Sequence, residues 1–493
     1  MDVAICGGLA LCETAILYLL RAPLMTEQSV IRVSECLFLI QYLVVKYYRV
    51  FLYHKYFSPF RHLPGPKDNH FFFGQAINLL RADTPTTLYI KWMKEFPDAP
   101  LIRYRTVANI EVLVCNSLNS RKELLQTKCY SFRRPDWWLR TVEDLTGRGV
   151  LWMEGEEHHA ARRMLAGPFS LSNIRKLEPI IWANAKELGL VFDRAIAAND
   201  SGLDVAKTTP TTFDGYGNDP GEKNKMTGGK TEDYTIHHAY CVRIHTIRSR
   251  RRQVTEAMSA GKYVQSESCD MLTYLIEESM PGGLAEGMTE KEFAGHLLQF
   301  MAAGHVTSAN ALSWGLYIMA NRQDIQSKLR DEITAFVAQV PEPTYTEIDR
   351  LQYLDHFIKE TLRVFPPVTI LNRQAIEDLT IEGLPIPKGT SFDIVPSVAS
   401  LNPLIWGDDA DEIKPSRWEH LTEEQASPYA FEVFSNGPRI CVGRLFAYLE
   451  IKIILFELIR NYRFLSVVKP FTVENPGFTL RPDGLEVRFE KVA

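Results

Sequence analysis

Hydrophobic residues recur at three- and four-residue steps over much of the chain, which is the pattern of amphipathic helices. The longest such segment runs from residue 289 to about residue 319, and Thr289 and Glu292 form a capping box at its start. A second helix is predicted for residues 346–364, where apolar residues share one side and two prolines follow. The apolar run 445–459 predicts a third helix.

Strand-like stretches are short by comparison. They cover residues 101–115, 378–395 and 485–489, where β-branched and aromatic residues alternate with polar ones between turn residues. No internal repeat is visible in the sequence. These patterns predict a mainly α fold with a minor antiparallel β subdomain.

Two apolar runs lead the chain. Residues 3–20 come close to the roughly 20 residues needed to span a bilayer, and Asp2 stands where a secretory signal peptide would carry positive charge. Arg21 follows, which by the positive-inside rule places the downstream chain in the cytoplasm. Residues 36–53 include Lys46 and Arg49 and predict a second anchor or an interfacial helix. A buried core helix is the alternative for both runs.

The segment HLPGPK, residues 62–67, marks the predicted boundary between anchor and body. Its two prolines fix two φ angles and favour extended neighbours, so the segment is stiff. We therefore expect residues 1–60 to form a membrane anchor and residues 61–493 to form one catalytic domain. Within that domain, residues 197–235 are rich in Gly, Asp, Lys and Thr, and their composition predicts a mobile loop.

Composition narrows the function classes. The formal net charge of −5 gives no basic stripe of the kind that nucleic-acid binding requires. The eight cysteines form no CxxC pair and no regular spacing, which argues against a disulfide framework or a zinc site and fits a reducing compartment. Single unpatterned cysteines are usually buried small hydrophobes.

Cys441 is the exception, because its surroundings are patterned. In FSNGPRICVGR it lies just before a predicted helix, where unpaired N–H groups and the helix dipole favour a thiolate, the form that ligates metals. Gly437 and Gly443 remove side chains where a flat cofactor would approach the backbone. Arg439 offers a fork for carboxylates, and Phe434 can shield the sulfur from water.

This FxxGxRxCxG pattern resembles the haem-thiolate signature of the cytochrome P-450 superfamily, and the resemblance extends from about Pro64 to the C-terminus. It implies the cytochrome P-450 fold, with haem b held between the long central helix and the helix of the cysteine loop. It also implies Cys441 as the proximal metal ligand. Phe434, Arg439 and Gly443 are then expected among the cofactor-binding residues.

Two further motifs match in family order. KETLR places Glu360 and Arg363 one helical turn apart, and PSRW supplies Arg417. The resemblance implies that these three residues form a buried polar brace behind the cysteine loop. GEEHHAARRML and LNRQAIED supply His158, Arg162 and Arg373, which with Arg439 are expected to bind the two haem propionates.

The long helix carries the distal motif AAGHVTSA. Ala303, Gly304 and Thr307 match the family pattern, in which small residues open a groove for dioxygen and the threonine hydroxyl takes part in proton delivery. This chain has Val306 where the family often has an acid. It also has a short interval between Arg162 and Gly304, the region that normally roofs the substrate pocket. Both departures concern the distal side of the predicted haem.

The leading functional expectation is a monooxygenase that oxidises an apolar small molecule by hydroxylation, epoxidation or desaturation. The resemblance implies electrons from NADPH through a separate reductase, with cytochrome b5 as a further candidate partner, and an endoplasmic reticulum membrane location with the catalytic domain in the cytoplasm. SPFRHLPGP and EGEEHHAARRML are similar to fungal members that tailor terpenoids or polyketides. Two alternatives stay open: a haem-thiolate isomerase or dehydratase that needs no reductase, and a haem-binding protein with impaired catalysis.

Substrate contacts are expected from three segments. They are residues 130–151, residues 302–307 on the long helix, and residues 368–372.

Overall fold

The computed structural model describes residues 2–20, 30–198, 203–204, 248–256 and 271–492. Helices make up the larger part of these residues, as the sequence pattern predicts. Their bounds are α1 Asp2–Leu19, α2 Val30–Tyr47, α3 Ala76–Arg81, α4 Thr87–Glu95, α5 Leu118–Lys122, α6 Asp136–Thr146, α7 Gly155–Leu165, α8 Leu171–Arg175, α9 Glu178–Ala197, α10 Met271–Glu278, α11 Glu290–Asn321, α12 Gln323–Val337, α13 Tyr345–Ile348, α14 Gln352–Val364, α15 Pro396–Ser400, α16 Pro403–Trp406 and α17 Arg444–Asn461.

The strands form small sheets beside the helices. Their bounds are β1 Leu101–Arg105, β2 Glu111–Cys115, β3 Phe132–Arg133, β4 Leu203–Asp204, β5 Leu371–Ala375, β6 Leu379–Ile381, β7 Leu384–Ile386, β8 Ser391–Ile394, β9 Tyr462–Val467, β10 Thr472–Val473, β11 Pro482–Asp483 and β12 Glu486–Lys491. The main sheet has the order β1-β2-β8-β5-β3. Its β2–β8 pair is parallel and its other pairs are antiparallel, so this sheet is mixed rather than purely antiparallel.

Helix α11 lies at the centre of the helical core. Residues 308–320 are buried apart from Tyr317, which is half-buried, and the helix packs against α12, α14, α17 and β9. Leu312 and Leu316 on α11 join Phe357 of α14 and Leu455 of α17 in one apolar cluster. The capping box at Thr289 forms as predicted, so the helix begins where the sequence indicates.

The helix predicted over residues 346–364 is wrong in one respect, because the chain breaks it into α13 and α14. Leu351 between them is extended, with φ −70° and ψ 106°. The first free N–H groups of α14, those of Tyr353 and Leu354, donate at 2.8 and 2.9 Å to the carboxylate of Glu332 on α12. The carboxylate of Glu332, on another helix, therefore caps the first turn of α14. The local sequence around Leu351 contains no signal for a helix start there.

The N-terminal runs both form helices. Among the described residues, α1 is the one helix long and apolar enough to cross a membrane by length and composition. The second run forms α2 and continues as a π-helix, Tyr48–Phe57. The predicted stiff segment packs on the body, since Arg103 N donates to Pro64 O at 2.8 Å. Most of the polar segment 197–235 lies outside the described residues, so its prediction as a mobile loop is not tested.

A buried ion pair joins the main sheet to the segment that leads into the cysteine loop. Arg121 on α5 is fully buried and pairs with Glu432, which is also buried. The same guanidinium donates through Nη2 to Cys115 O at 2.7 Å and Val395 O at 3.1 Å, at the ends of β2 and β8. One side chain thus fixes three separate parts of the chain.

We expect Arg121→Met to lower the free energy of unfolding by about 3–5 kcal/mol, because Glu432 would be left as a buried charge without its partner. Denaturant unfolding of the full chain measures this. The control is Arg133→Met, which removes a pair with Asp136 whose side chains are 43% and 55% exposed. We expect that control to cost less than about 1 kcal/mol. Equal losses in the two variants would contradict this account.

Candidate functional site

The cysteine loop is held by its own backbone. Cys441 N donates to Phe434 O at 2.8 Å, and Gly443 is the N-cap of α17, so the predicted place of the thiol just before a helix is confirmed. Gly437 has φ +67°, and a Cβ there would lie 2.2 Å from Leu125 O. Gly437 therefore has a packing reason of its own, and its predicted role as room for a cofactor stays a prediction.

The Cys441 sulfur is accessible although protein surrounds it. Burial raises the pKa of its thiol, while the Gly443 N–H, Arg162 and Arg444 act in the opposite direction. Burial thus opposes the effect of the helix start on this thiol, and a bound cation would favour the thiolate. A Cβ at Gly443 would lie 4.0 Å from the sulfur, which is ordinary contact. Phe434 packs against Tyr448 with ring centroids 5.2 Å apart.

The ExxR pair forms behind this loop. Glu360 and Arg363 on α14 are fully buried, and Arg363 Nε and Nη2 each donate to one carboxylate oxygen of Glu360 at 2.8 Å. Arg363 also donates through Nη1 to Ser400 O and Ala410 O, both at 2.7 Å. The pair therefore ties α14 to the segment that follows α15.

Arg417 completes the network less directly than the resemblance implies. Its Nε lies 3.5 Å from Glu360, while its Nη1 donates at 2.9 Å to Asp409 Oδ1. Two donors that the sequence analysis did not single out contact Glu360 more closely, namely Lys414 N at 2.9 Å and Trp418 Nε1 at 3.0 Å. Trp418 is adjacent to the motif arginine, so PSRW contained the signal.

The distal motif lies on an accessible section of α11. Ala303 is exposed, Gly304 and Thr307 are half-buried, and a Cβ at Gly304 would meet no atom within 4 Å. Thr307 Oγ1 donates to Ala303 O at 2.7 Å. The residues that follow, 308–320, are buried in the core. The small side chains at 303 and 304 therefore leave open space just before the helix enters the core.

Helix α11, just before its accessible section, and the cysteine loop both contribute to one apolar cluster. It includes Phe293 and the partly buried Phe300 of α11, Phe169, and Val442 next to the cysteine. Phe169 and Phe300 meet edge to face with ring centroids 5.5 Å apart. The helix that carries the distal motif and the cysteine loop therefore pack on the same apolar cluster.

Four arginines gather beside the cysteine loop. Arg439 pairs with Glu154 and donates to Met153 O at 3.2 Å. Arg134 donates to the same carboxylate at 3.1 Å. Arg373, buried on β5, donates to Asn372 O at 2.8 Å. Arg162 is half-buried on α7, one turn after His158.

The pKa shifts show that this cluster carries an excess of positive charge. Burial, together with Arg134 and Arg439, lowers the pKa of Arg373 to about 9. Burial, together with Arg439, Arg162 and Arg134, lowers the pKa of His158 to about 3, so this histidine is neutral. Its Nδ1 lies 3.1 Å from the Tyr130 hydroxyl.

Sequence reasoning missed Arg134 and Glu154 in this cluster. Burial lowers the pKa of Arg134 to about 10, against the opposing effect of Glu154. Its guanidinium carbon lies 5.4 Å from the centre of the Trp152 ring. The dipeptide Arg133-Arg134 before a proline was visible in the sequence, but its nearness to Arg439 comes only from the fold.

These residues fit a flat, dianionic cofactor that carries a metal. Of the four guanidinium groups, those of Arg134 and Arg439 share one carboxylate, Glu154, and the Nε of Arg439 is a buried donor that has no partner. No group of three or more His, Cys, Asp or Glu side chains that could hold a metal occurs in the described parts of the chain. A thiol beside an excess of arginine, in a loop that shares an apolar cluster with the helix of the small residues, fits a haem-thiolate protein.

Sequence comparison identifies the family. The model of the cytochrome P450 family matches residues 64–211 and 231–489, and the chain belongs to this family. Cytochrome P450 monooxygenase sphH of Aspergillus fumigatus is 29% identical over 90% of this chain and 91% of its own length. Cytochrome P450 monooxygenase ptmK of Penicillium ochrochloron is 26% identical over 90% and 96%. Cytochrome P450 monooxygenase FUM15 of Gibberella moniliformis is 26% identical over 83% of each chain.

The predicted superfamily, its mainly helical fold and the class of enzyme, a cytochrome P450 monooxygenase, are therefore confirmed. The family implies haem with a thiolate ligand. The family match is interrupted between residues 211 and 231, inside the polar segment 197–235. The roles of the individual site residues stay predictions.

We expect Glu360→Gln to reduce the haem content per chain and to lower stability by about 3–5 kcal/mol, because the fully buried Arg363 would lose its charged partner. Haem content and thermal unfolding measure the two effects. The matched control is Glu412→Gln, which alters a carboxylate that is 63% exposed in the same region. The brace would be refuted if both variants kept full haem content and stability.

Proposed function

We propose that this protein is a reductase-dependent monooxygenase that oxidises an apolar small molecule. The observation that supports this most strongly is the placement of Cys441 and the accessible Ala303–Thr307 section on two elements joined by one apolar cluster. A buried cluster of four arginines lies beside them. Cys441 would then supply the thiolate ligand, the Ala303–Thr307 section the oxygen site, and the arginine cluster the partners of the propionates.

Cys441 would hold the haem iron, and Arg439, Arg162, Arg373 and His158 would bind its propionates together with Arg134. When bound, the haem supplies the reductive activation of dioxygen, and a thiolate ligand favours cleavage of the O–O bond. The guanidiniums would neutralise the propionates in a buried place, where charge-assisted hydrogen bonds are strong. Phe434 and Gly443 would shape the space around the sulfur.

Thr307 would handle protons on the distal side. Its hydroxyl donates to Ala303 O, and the two lone pairs of its oxygen can still accept a hydrogen bond from a water. Val306 carries no ionisable group, so proton delivery in this chain would rest on Thr307 and water without the acid found in many family members. Gly304 would keep the adjacent space open.

The substrate pocket would be lined by aromatic residues in or beside two of the predicted contact segments, residues 130–151 and 368–372. Trp138 stacks with Phe478 at 5.8 Å and meets Trp152 edge to face at 6.4 Å between ring centroids. Val368 forms a bridge with Thr479, next to Phe478. Apolar walls of this kind favour an apolar substrate.

Gln299 on α11 holds the end of the predicted segment 130–151 against this helix. It donates to Gly147 O at 3.0 Å and accepts from Leu151 N at 2.9 Å. Val150 N donates to His296 Nδ1 at 3.3 Å. The end of the 130–151 segment is therefore placed against the helix that carries Ala303 and Thr307.

Electrons would come from NADPH through a separate membrane-bound reductase, with cytochrome b5 as a further partner. The similarity to fungal cytochrome P450 monooxygenases supports a secondary metabolite, a terpenoid or a polyketide, as the substrate. Helix α1 would anchor the chain in the endoplasmic reticulum membrane with the catalytic domain in the cytoplasm.

An isomerase or dehydratase that needs no reductase is the second candidate, and Val306 is the observation that favours it.

Turnover by the full chain in microsomes tests the proposal. With reductase, NADPH and a panel of apolar terpenoids and polyketides, we expect a product that carries one oxygen atom from labelled dioxygen. Cys441→Ala should abolish this product and the thiolate-type spectrum of the carbon monoxide complex. Cys129→Ala, which removes a buried thiol near Arg439, should keep both.

Product formed without NADPH and reductase would instead support the isomerase or dehydratase. A thiolate-type spectrum that persists in Cys441→Ala would refute the assignment of the ligand.

A further inference from the structure

The first two helices run antiparallel and touch along their length. Asp2, at the start of α1, pairs at 3.4 Å with Lys46 near the end of α2. It also pairs at 2.7 Å with Arg49, two residues after that end. Gln41 on α2 donates to Glu13 on α1 at 2.7 Å. These contacts set the register of the pair and place the N-terminus beside the end of α2.

Small residues form the contact face of α1. Cys6, Ala10 and Thr14 follow one another at four-residue steps and are buried, at 1%, 1% and 3% exposure. Thr14 Oγ1 donates to Ala10 O at 2.6 Å, so its hydroxyl is satisfied within the helix. Small residues at this spacing let two helices approach closely, as in helix pairs within membranes.

The outer faces of the pair are mainly apolar, although the carboxylates of Glu13 and Glu35 are exposed among them. Their large side chains are exposed along both helices, and the polar Glu13 and Gln41 bond to each other near the middle. Arg32 and Lys46 lie near the two ends of α2, where long side chains reach the membrane surface. The exposed apolar residues of the pair are Val3, Ile5, Leu9, Leu11, Ile16, Leu19, Ile31, Leu39, Ile40, Leu43 and Val44.

The end of α2 is attached to the catalytic body. The π-helix Tyr48–Phe57 continues α2 directly, and Asn109 Nδ2 donates to Val50 O at 3.1 Å. Arg103 Nη2 donates to His54 O at 2.7 Å. Because Asp2 pairs with Arg49, one residue before Val50, the N-terminus lies at the same end of the pair as the body.

Basic residues are more numerous at this end. Lys46, Arg49, Lys55 and Arg61 lie at the body end, and Arg21 and Arg32 flank the opposite end in sequence. The side with more Lys and Arg remains in the cytoplasm. The charge distribution therefore agrees with the contacts of Asp2.

We propose that α1 and α2 cross the bilayer together as an antiparallel hairpin, with the N-terminus and the catalytic body both in the cytoplasm. This inference rests on the proposed membrane anchoring. It revises the expectation drawn from Arg21, which puts the chain after α1 in the cytoplasm. Each helix has 18 residues, about 27 Å at 1.5 Å per residue, close to the thickness of a hydrocarbon core. By composition α1 alone qualifies as a span among the described residues, so α2, which carries Arg32, Glu35 and Lys46, would cross only as the partner of α1.

Glycosylation mapping of the full chain in microsomes tests the hairpin. A flexible cassette with an Asn-X-Ser acceptor is placed before Met1, after Leu20, or after Ala493 in three separate variants. We expect a mobility shift, reversed by endoglycosidase, only for the cassette after Leu20. The variant with the cassette after Ala493 is the control for a cytoplasmic position.

Alkaline carbonate extraction of the same samples separates the two proposals. A glycosylated N-terminal cassette would overturn the hairpin in favour of a single span, while anchoring would stand. Protein that resists extraction with no cassette glycosylated would also overturn the hairpin and leave anchoring intact. Release of the unmodified chain into the soluble fraction would overturn both.

Discussion

The site depends on the need to neutralise buried positive charge. Arg134 and Arg439 share the carboxylate of Glu154, and Arg373 lies buried beside them with its pKa lowered to about 9. Desolvated charges of one sign are costly unless opposite charges accompany them. A cofactor with two carboxylates supplies that balance, so the arginines that would bind haem also need it for their own stability.

Two buried ion pairs hold chain segments that precede the cysteine loop. Glu360 and Arg363 tie α14 to the segment before the loop, and Arg121 and Glu432 tie the loop's approach to the ends of β2 and β8. Such pairs are costly to break and demanding in geometry, which suits a ligand that must hold one position. The thiol itself gains little from its helix start, since burial raises its pKa. Under the proposed function, metal binding would supply the stabilisation.

Local patterns in the sequence predicted the parts of the site that depend on short spacings. The capping box at Thr289, the Glu360–Arg363 turn and the place of Cys441 before α17 can all be found within a few residues. The remainder depends on contacts between distant parts of the chain. Arg134 meets Arg439 only through Glu154, and Glu332 starts α14 from another helix, so neither had a local signal.

The charge balance can be measured directly by titrating the haem-free chain with haem and with its dimethyl ester, whose propionates are neutral. Each charge-assisted hydrogen bond contributes about 1.5–3 kcal/mol, so the ester should bind at least about tenfold more weakly. At equal concentration, haem should also raise the unfolding temperature more than the ester does. Equal affinity for the two compounds would contradict the claim that the arginine cluster of Arg134, Arg162, Arg373 and Arg439 holds the propionates.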